Sequence, residues 1–150
     1  MLYSPVEAVC VAMKVLFLDI DGVLTTSRSR RKAIDHCDRN CVLELLHIVG
    51  QTGCKIVVSS SWRIFGEQHV KDALQANGAP VFAIIGFTPD LHGEERGDEI
   101  QAWLDSNPDV EKFAIVDDDA DMGHLLGYLI RTDDGLTHAQ AEDIIYKLNG

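Results

Sequence analysis

The sequence predicts an α/β domain, a Rossmann-like three-layer sandwich with a parallel sheet of about five strands and helices on both sides. Three observations predict it. Short continuous apolar runs recur along the chain, the mark of strands covered on both faces. Stretches with apolar residues at helical spacing separate those runs, so right-handed crossovers must join parallel strands. The length, 150 residues, suits one domain.

The elements follow in order. Residues 1–12 lack the positive start of a secretory signal and read as an extension, a strand, a short helix or a tail. The compact domain is expected over residues 13–150. Val15-Leu16-Phe17-Leu18 is the first strand; Val42, Leu45, Leu46 and Val49 then line one helix face, which stops at Gly50 or Gly53. Ile56-Val57-Val58 is the second strand, and Val70 and Leu74 mark a helix ended by Asn77-Gly78. Val81–Ile85 reads as the third strand; Ile100, Trp103 and Leu104 form a helix stopped by Asn107-Pro108. Phe113–Val116 and Tyr128–Ile130 are the fourth and fifth strands, and Thr137 caps a last helix through Ala141, Ile144, Ile145 and Leu148.

Composition narrows the function classes. Hydrophobic residues at 46% against 25% charged exclude wholesale disorder. No apolar stretch approaches the ~18–20 residues that cross a bilayer, so no membrane role is expected. Asp and Glu number 24 against 13 Lys and Arg, a net charge of −11, which repels long polyanions; binding to long nucleic-acid tracts is not expected, and any nucleic-acid role must use a local site. Cys10, Cys37, Cys41 and Cys54 form no CxxC pair, so reduced thiols in a cytoplasmic protein are expected. Cys37 and Cys41 beside His36 could hold a metal, but a second ligand pair at zinc-finger spacing is missing.

In open α/β sheets chemistry collects at the carboxyl ends of the strands. The first strand runs into Asp19-Ile20-Asp21-Gly22, the second into Ser59-Ser60-Ser61-Trp62-Arg63, and the fourth into Asp117-Asp118-Asp119-Ala120-Asp121. Asp19 and Asp21, two apart in an extended chain, can face one pocket. If the first and fourth strands are neighbours, Asp117 or Asp118 lies close to Asp19. Two carboxylates ~4 Å apart repel by about 4 kcal/mol at an effective dielectric near 20, so such a cluster calls for a cation. Few, hard oxygen ligands beside a phosphate-sized gap suit Mg²⁺. A calcium loop is excluded, since Val23 stands where an EF-hand needs an acid or amide and Arg30 near its Glu. Helix capping remains an alternative for the serines and for Asp117 to Asp121.

These residues carry a family resemblance. Val15–Leu24 resembles the first motif of the haloacid dehalogenase (HAD) superfamily of phosphotransferases, Val57-Val58-Ser59 the second, Arg96 the third and Ile115-Val116-Asp117-Asp118 the fourth. Ser60-Ser61-Trp62-Arg63, Gly86-Phe87-Thr88-Pro89, Arg96–Ile100, Asp117–Met122, Thr132-Asp133 and Gly135-Leu136-Thr137 are similar to the HAD domains of Swiss Army Knife RNA repair proteins. The resemblance implies an Mg²⁺-dependent phosphomonoester hydrolase. Asp19 would attack phosphorus to give an aspartyl-phosphate, and Asp21 would serve as general acid and then base. Mg²⁺ would be held by Asp19, the Asp21 carbonyl and Asp118, with Asp117 in support. Ser59, the backbone at Ser60 and Arg96 would hold the phosphate. Arg63 is either a second phosphate clamp or an ion-paired helix residue.

HAD enzymes acting on small metabolites commonly carry an inserted cap, and the spacing between motifs here leaves no room for a substantial one. An open site fits a bulky phosphorylated substrate such as an RNA or DNA end. Arg28-Ser29-Arg30-Arg31-Lys32 could be a cationic landing strip for it, or a solvated loop. A small-nucleotide or metabolite phosphatase is the enzymatic alternative, and a non-catalytic phospho-acceptor or interaction domain the weaker one. A response-regulator receiver is disfavoured: the third and fifth strand ends read Gly86-Phe87-Thr88 and Arg131-Thr132, not Asp and Lys.

Overall fold

The computed structural model describes residues 13–150; the expected extension over residues 1–12 lies outside the described residues, as does Cys10. The elements run β1 (Met13–Leu18), α1 (Arg39–Thr52), β2 (Lys55–Val58), α2 (Glu67–Ala76), β3 (Ile84–Phe87), α3 (Arg96–Asp105), β4 (Val110–Asp117), β5 (Leu129–Arg131) and α4 (His138–Asn149). The five strands pair in parallel in the order β3-β2-β1-β4-β5.

Side-chain alternation along β1 divides the core in two. Leu16, Leu18 and Ile20 face α1, α2 and α4, packing with Leu45, Ile48, Leu74, Ile144 and Leu148. Val15 and Phe17 face α3, packing with Ile100, Ile115 and Met122, and Phe17 sets its ring edge-on to Trp103. Both faces of the strand are thus sealed, which is why it reads as an unbroken apolar run.

The helices begin where side chains can satisfy their first N–H groups. Asp38 accepts from the N–H groups of Asn40 and Cys41 to start α1. Glu95 and Asp98 form a reciprocal capping box at α3, and Thr137 and Gln140 another at α4.

The third strand departs from the sequence expectation. Val81–Ala83 form a 3-10 turn after Pro80, whose carbonyl accepts from the Ala83 N–H, and pairing with β2 begins only at Ile84. This is an edge strand, and Phe82 lies 78% exposed, so the run has neither the ladder nor the cover that its apolarity suggested. Tyr128 likewise belongs to the turn before β5.

Two features position the site. The chain leaves β1 for β2 on one side, while β4 pairs on the other, so β1 and β4 flank the point where strand order reverses. No inserted domain covers that crevice among the described residues: β1 connects to α1 through loops and one turn at Ser29–Arg31, and β3 connects to α3 by a loop.

Candidate active site at the carboxyl edge of the sheet

Strand register builds the centre of the site. Leu18 pairs with Val58 on one side and Val116 on the other, so the next residues, Ser59, Asp19 and Asp117, stand in a row across the sheet edge. The row is held by the Asp19 N–H donating to the Val116 carbonyl at 3.1 Å and the Ser59 N–H donating to the Leu18 carbonyl at 2.8 Å. By the two-residue period, all three share the face of Phe17, Val57 and Ile115, the side covered by α3.

Arg96, the first residue of α3, reaches into this row. Its Nη1 lies 3.5 Å from Asp19 Oδ1 and 3.4 Å from Asp117 Oδ2. The α3 N-terminus can come this close because residue 97 is glycine: a Cβ there would overlap the Met122 carbonyl, and its N–H donates to the Asp121 carbonyl. Oxygens of Asp19, Asp117 and the exposed Asp118 lie within 4.8 Å of one another. Burial, and then the neighbouring Asp117 charge, push the Asp19 carboxyl well above its ordinary range, and burial raises Asp117 as well. Arg96 opposes both shifts, but it is one guanidinium facing three carboxylates.

Asp21 stands apart from that set. The chain turns at Ile20, whose carbonyl accepts from the N–H groups of Val23, Leu24 and Thr25. Asp21 therefore stands at the start of a tight turn just beyond the end of β1. The Asp21 carboxylate accepts from Thr25 Oγ1 and Trp62 Nε1, each at 3.0 Å. Gly22 has φ +80°, and a Cβ there would overlap the Asp118 carboxylate. Its carbonyl accepts from the Gly135 N–H at 2.8 Å and Thr132 Oγ1 at 2.7 Å, so loops after β5 clamp the turn.

The remaining candidates divide. Ser59 Oγ is buried without a hydrogen-bond partner, the state of a hydroxyl awaiting one. Ser60 Oγ accepts from the Trp62 N–H and caps the turn at Ser61–Phe65, which is the capping alternative for that hydroxyl. Arg63 is taken up by structure. Its Nη2 donates to Glu99 Oε2 at 2.6 Å and lies 3.6 Å from Asp90, and its Nη1 donates to the Ser60 carbonyl. These contacts match the ion-paired reading of Arg63, while its Nε is buried without a hydrogen-bond partner. Cys37, Cys41 and Cys54 are free and buried, and no metal-ligating group among the described residues includes a cysteine.

Residues 15–141 match the family described as the HAD domain in Swiss Army Knife RNA repair proteins. The chain belongs to this family. No curated protein matches it. The match runs from Val15, within β1, through the other four strands to the first turn of α4.

The HAD family typically uses Mg²⁺, and the residues present fit such a cation. Three oxygen-donor carboxylates converge, and Asp117 Oδ2 is buried without a hydrogen-bond partner.

Sequence reasoning missed three contributors. Glu99 is 5% exposed and accepts from Arg63 and from the Leu91 N–H, with Arg96 Nε 4.0 Å away, so one carboxylate orients two arginines. Its sequence signals were its place within the Arg96–Ile100 motif and on the same helix face as Arg96 and Trp103. Trp62, buried after β2, donates to Asp21. Arg30 donates to Thr25 Oγ1 at 2.8 Å and lies 3.9 Å from Asp21, which leaves Arg28, Arg31 and Lys32 exposed.

Proposed function

We propose that this HAD domain hydrolyses phosphomonoesters through an aspartyl-phosphate on Asp19, and that its substrate is a phosphorylated nucleic-acid end. The observation that carries the reading is the row of Asp19 and Asp117 at the sheet edge with Arg96 between them.

An Asp19 oxygen attacks phosphorus as the ester P–O bond breaks, giving the acyl phosphate and an alkoxide. Asp21 supplies the proton to that alkoxide; Trp62 and Thr25 hold its carboxyl in place. Water, losing its proton to Asp21, then attacks the acyl phosphate, regenerating Asp19 and releasing inorganic phosphate. Arg96, the unpartnered Ser59 hydroxyl and the backbone at Ser60 would hold the transferring oxygens; the Arg96 contact with Asp19 and the uncommitted Ser59 hydroxyl support this. Asp19, Asp118, the Asp21 carbonyl and, in support, Asp117 would hold Mg²⁺. The ion would offset carboxylate repulsion and draw a phosphate towards an anionic nucleophile.

The absence of an inserted cap among the described residues favours a bulky substrate over a small metabolite, and exposed Arg28, Arg31 and Lys32, in the loop that also carries Arg30, would offer cationic contacts. A phosphatase screen with Mg²⁺ tests the proposal, comparing nucleotides, sugar phosphates, phosphopeptides and oligonucleotides phosphorylated at either end. Terminal phosphates on oligonucleotides are expected to have the highest kcat/KM, and Asp19→Asn to abolish turnover. Preference for free nucleotides would move the assignment to a small-nucleotide phosphatase. No turnover of any substrate, with no phosphoenzyme that survives an acid quench and is cleaved by hydroxylamine, would leave the non-catalytic reading.

A further inference from the structure

A second group of metal-ligating side chains lies between α1 and α4 and shares no residue with the site above. His47 Nε2 is 3.7 Å from Glu142 Oε1, and His138 Nε2 is 3.3 Å from the same oxygen. One donor atom from each of the three falls within 4.8 Å of the others. We propose that His47, His138 and Glu142 form a binding site for a divalent transition ion of the zinc type, joining α1 to α4.

Helix geometry builds the site. His138 and Glu142 are four apart on α4 and project from one face; Glu44 and His47 are three apart on α1 and do the same. Packing of α1 against α4 brings the two faces together, and the imidazoles stack with centroids 5.6 Å apart and planes at 28°.

The donor spacing is suitable for zinc. Bonds of about 2.0–2.2 Å in tetrahedral geometry place donors roughly 3.3 Å apart. The two measured separations lie at or just above that value, so small side-chain rotations close the set. His47 Nε2 is buried and has no hydrogen-bond partner, so no group of the protein competes with an ion for it. His138 has its other nitrogen, Nδ1, 2.9 Å from Glu44 Oε1. That carboxylate fixes the tautomer which presents Nε2 to an ion, the usual arrangement behind a ligating histidine. Two imidazoles and one carboxylate select zinc-like ions over Mg²⁺, and the exposed side of His138 and Glu142 leaves a coordination position for water.

The test is titration of the chelator-stripped protein with zinc chloride, in millimolar Mg²⁺ so that the acidic cluster is satisfied. One equivalent of zinc is expected to bind at micromolar or lower concentration and to raise the melting temperature. His138→Gln and Glu142→Gln should each weaken binding at least tenfold and remove the zinc-induced rise. Glu44→Gln, a change at a positioning residue, should weaken binding by about tenfold while leaving the zinc-free melting temperature unchanged. Asp118→Asn should leave zinc affinity as in the parent. Parent-like zinc binding in both His138→Gln and Glu142→Gln would overturn the proposal, as would loss of binding in Asp118→Asn or no binding at micromolar zinc. In any of those cases the cluster is only a set of helix–helix ion pairs.

Discussion

Asp21 is held by two donors, and one can be removed without disturbing the other. Trp62→Phe keeps the ring against the core but deletes the Nε1–H that meets Asp21 at 3.0 Å. Turnover of an alkyl phosphate should fall about tenfold, the value of one hydrogen bond to a charged group. Turnover of an aryl phosphate, whose leaving group needs no proton, should change little; steady-state kinetics on the two substrates separates the cases. Equal losses on both would mean that Trp62 shapes the site instead of orienting the acid. Gly22→Ala adds a methyl where φ is +80° and where Asp118 already sits. The backbone conformation alone costs about 1–2 kcal/mol, so the urea midpoint should drop by at least that equivalent. At this scale the sequence was legible where chemistry sits on strand ends: Asp19, Ser59 and Asp117 each follow an apolar run directly. Glu99 was not, because its partners Arg63 and Leu91 come from other segments and no local pattern announces a buried carboxylate.

Elements report on their own ends and faces. The capping box at Thr137 is the only side-chain device starting α4, and Thr137→Ala should cost about 1 kcal/mol, lowering the melting temperature by roughly 2–4 °C. The buried face of α1 and the loop before it carry Cys41 and Cys37. Burial, with help from Asp35 and Asp38 respectively, pushes these thiols up to about 12 for Cys37 and about 11 for Cys41. Their folded values lie above the ordinary 9, so the associated stability is intact below pH 9 and is lost as pH rises from 9 through 11 and 12. Iodoacetamide at pH 8 should spare both in the native protein and modify both in urea, as peptide mapping would show; rapid native labelling would contradict the burial. Helices and inner strands were readable because a face or a whole run is apolar. The start of β3 was not: Val81–Ala83 are as apolar as a strand, yet at the sheet edge Pro80 and a free flank allow a turn instead.

For the whole molecule the governing contrast is a net charge of −11 with a run of exposed basic residues in the loop that follows β1. Replacing Arg28, Arg31 and Lys32 by Gln should raise KM for a phosphorylated oligonucleotide and flatten its salt dependence, by about 0.7 in log–log slope per lost phosphate contact. An aryl phosphate should be hydrolysed as before. Arg30 stays in place in this test, since it contacts Thr25 in the turn after Asp21. The sheet and its layers followed from the alternation of apolar runs and amphipathic stretches. That β1 lies at the centre, with β4 beside it, comes from the structure; the sequence left that neighbour relation conditional, since no run states its own neighbours.

The clamp on Gly22 has a consequence for biosynthesis. Residue 22 leaves the ribosome early, but the groups that grip its carbonyl, at Thr132 and Gly135, are more than a hundred residues downstream. A nascent chain halted before them should expose Asp19 and still lack the clamped turn, so any turnover should switch on only once Gly135 has emerged from the exit tunnel.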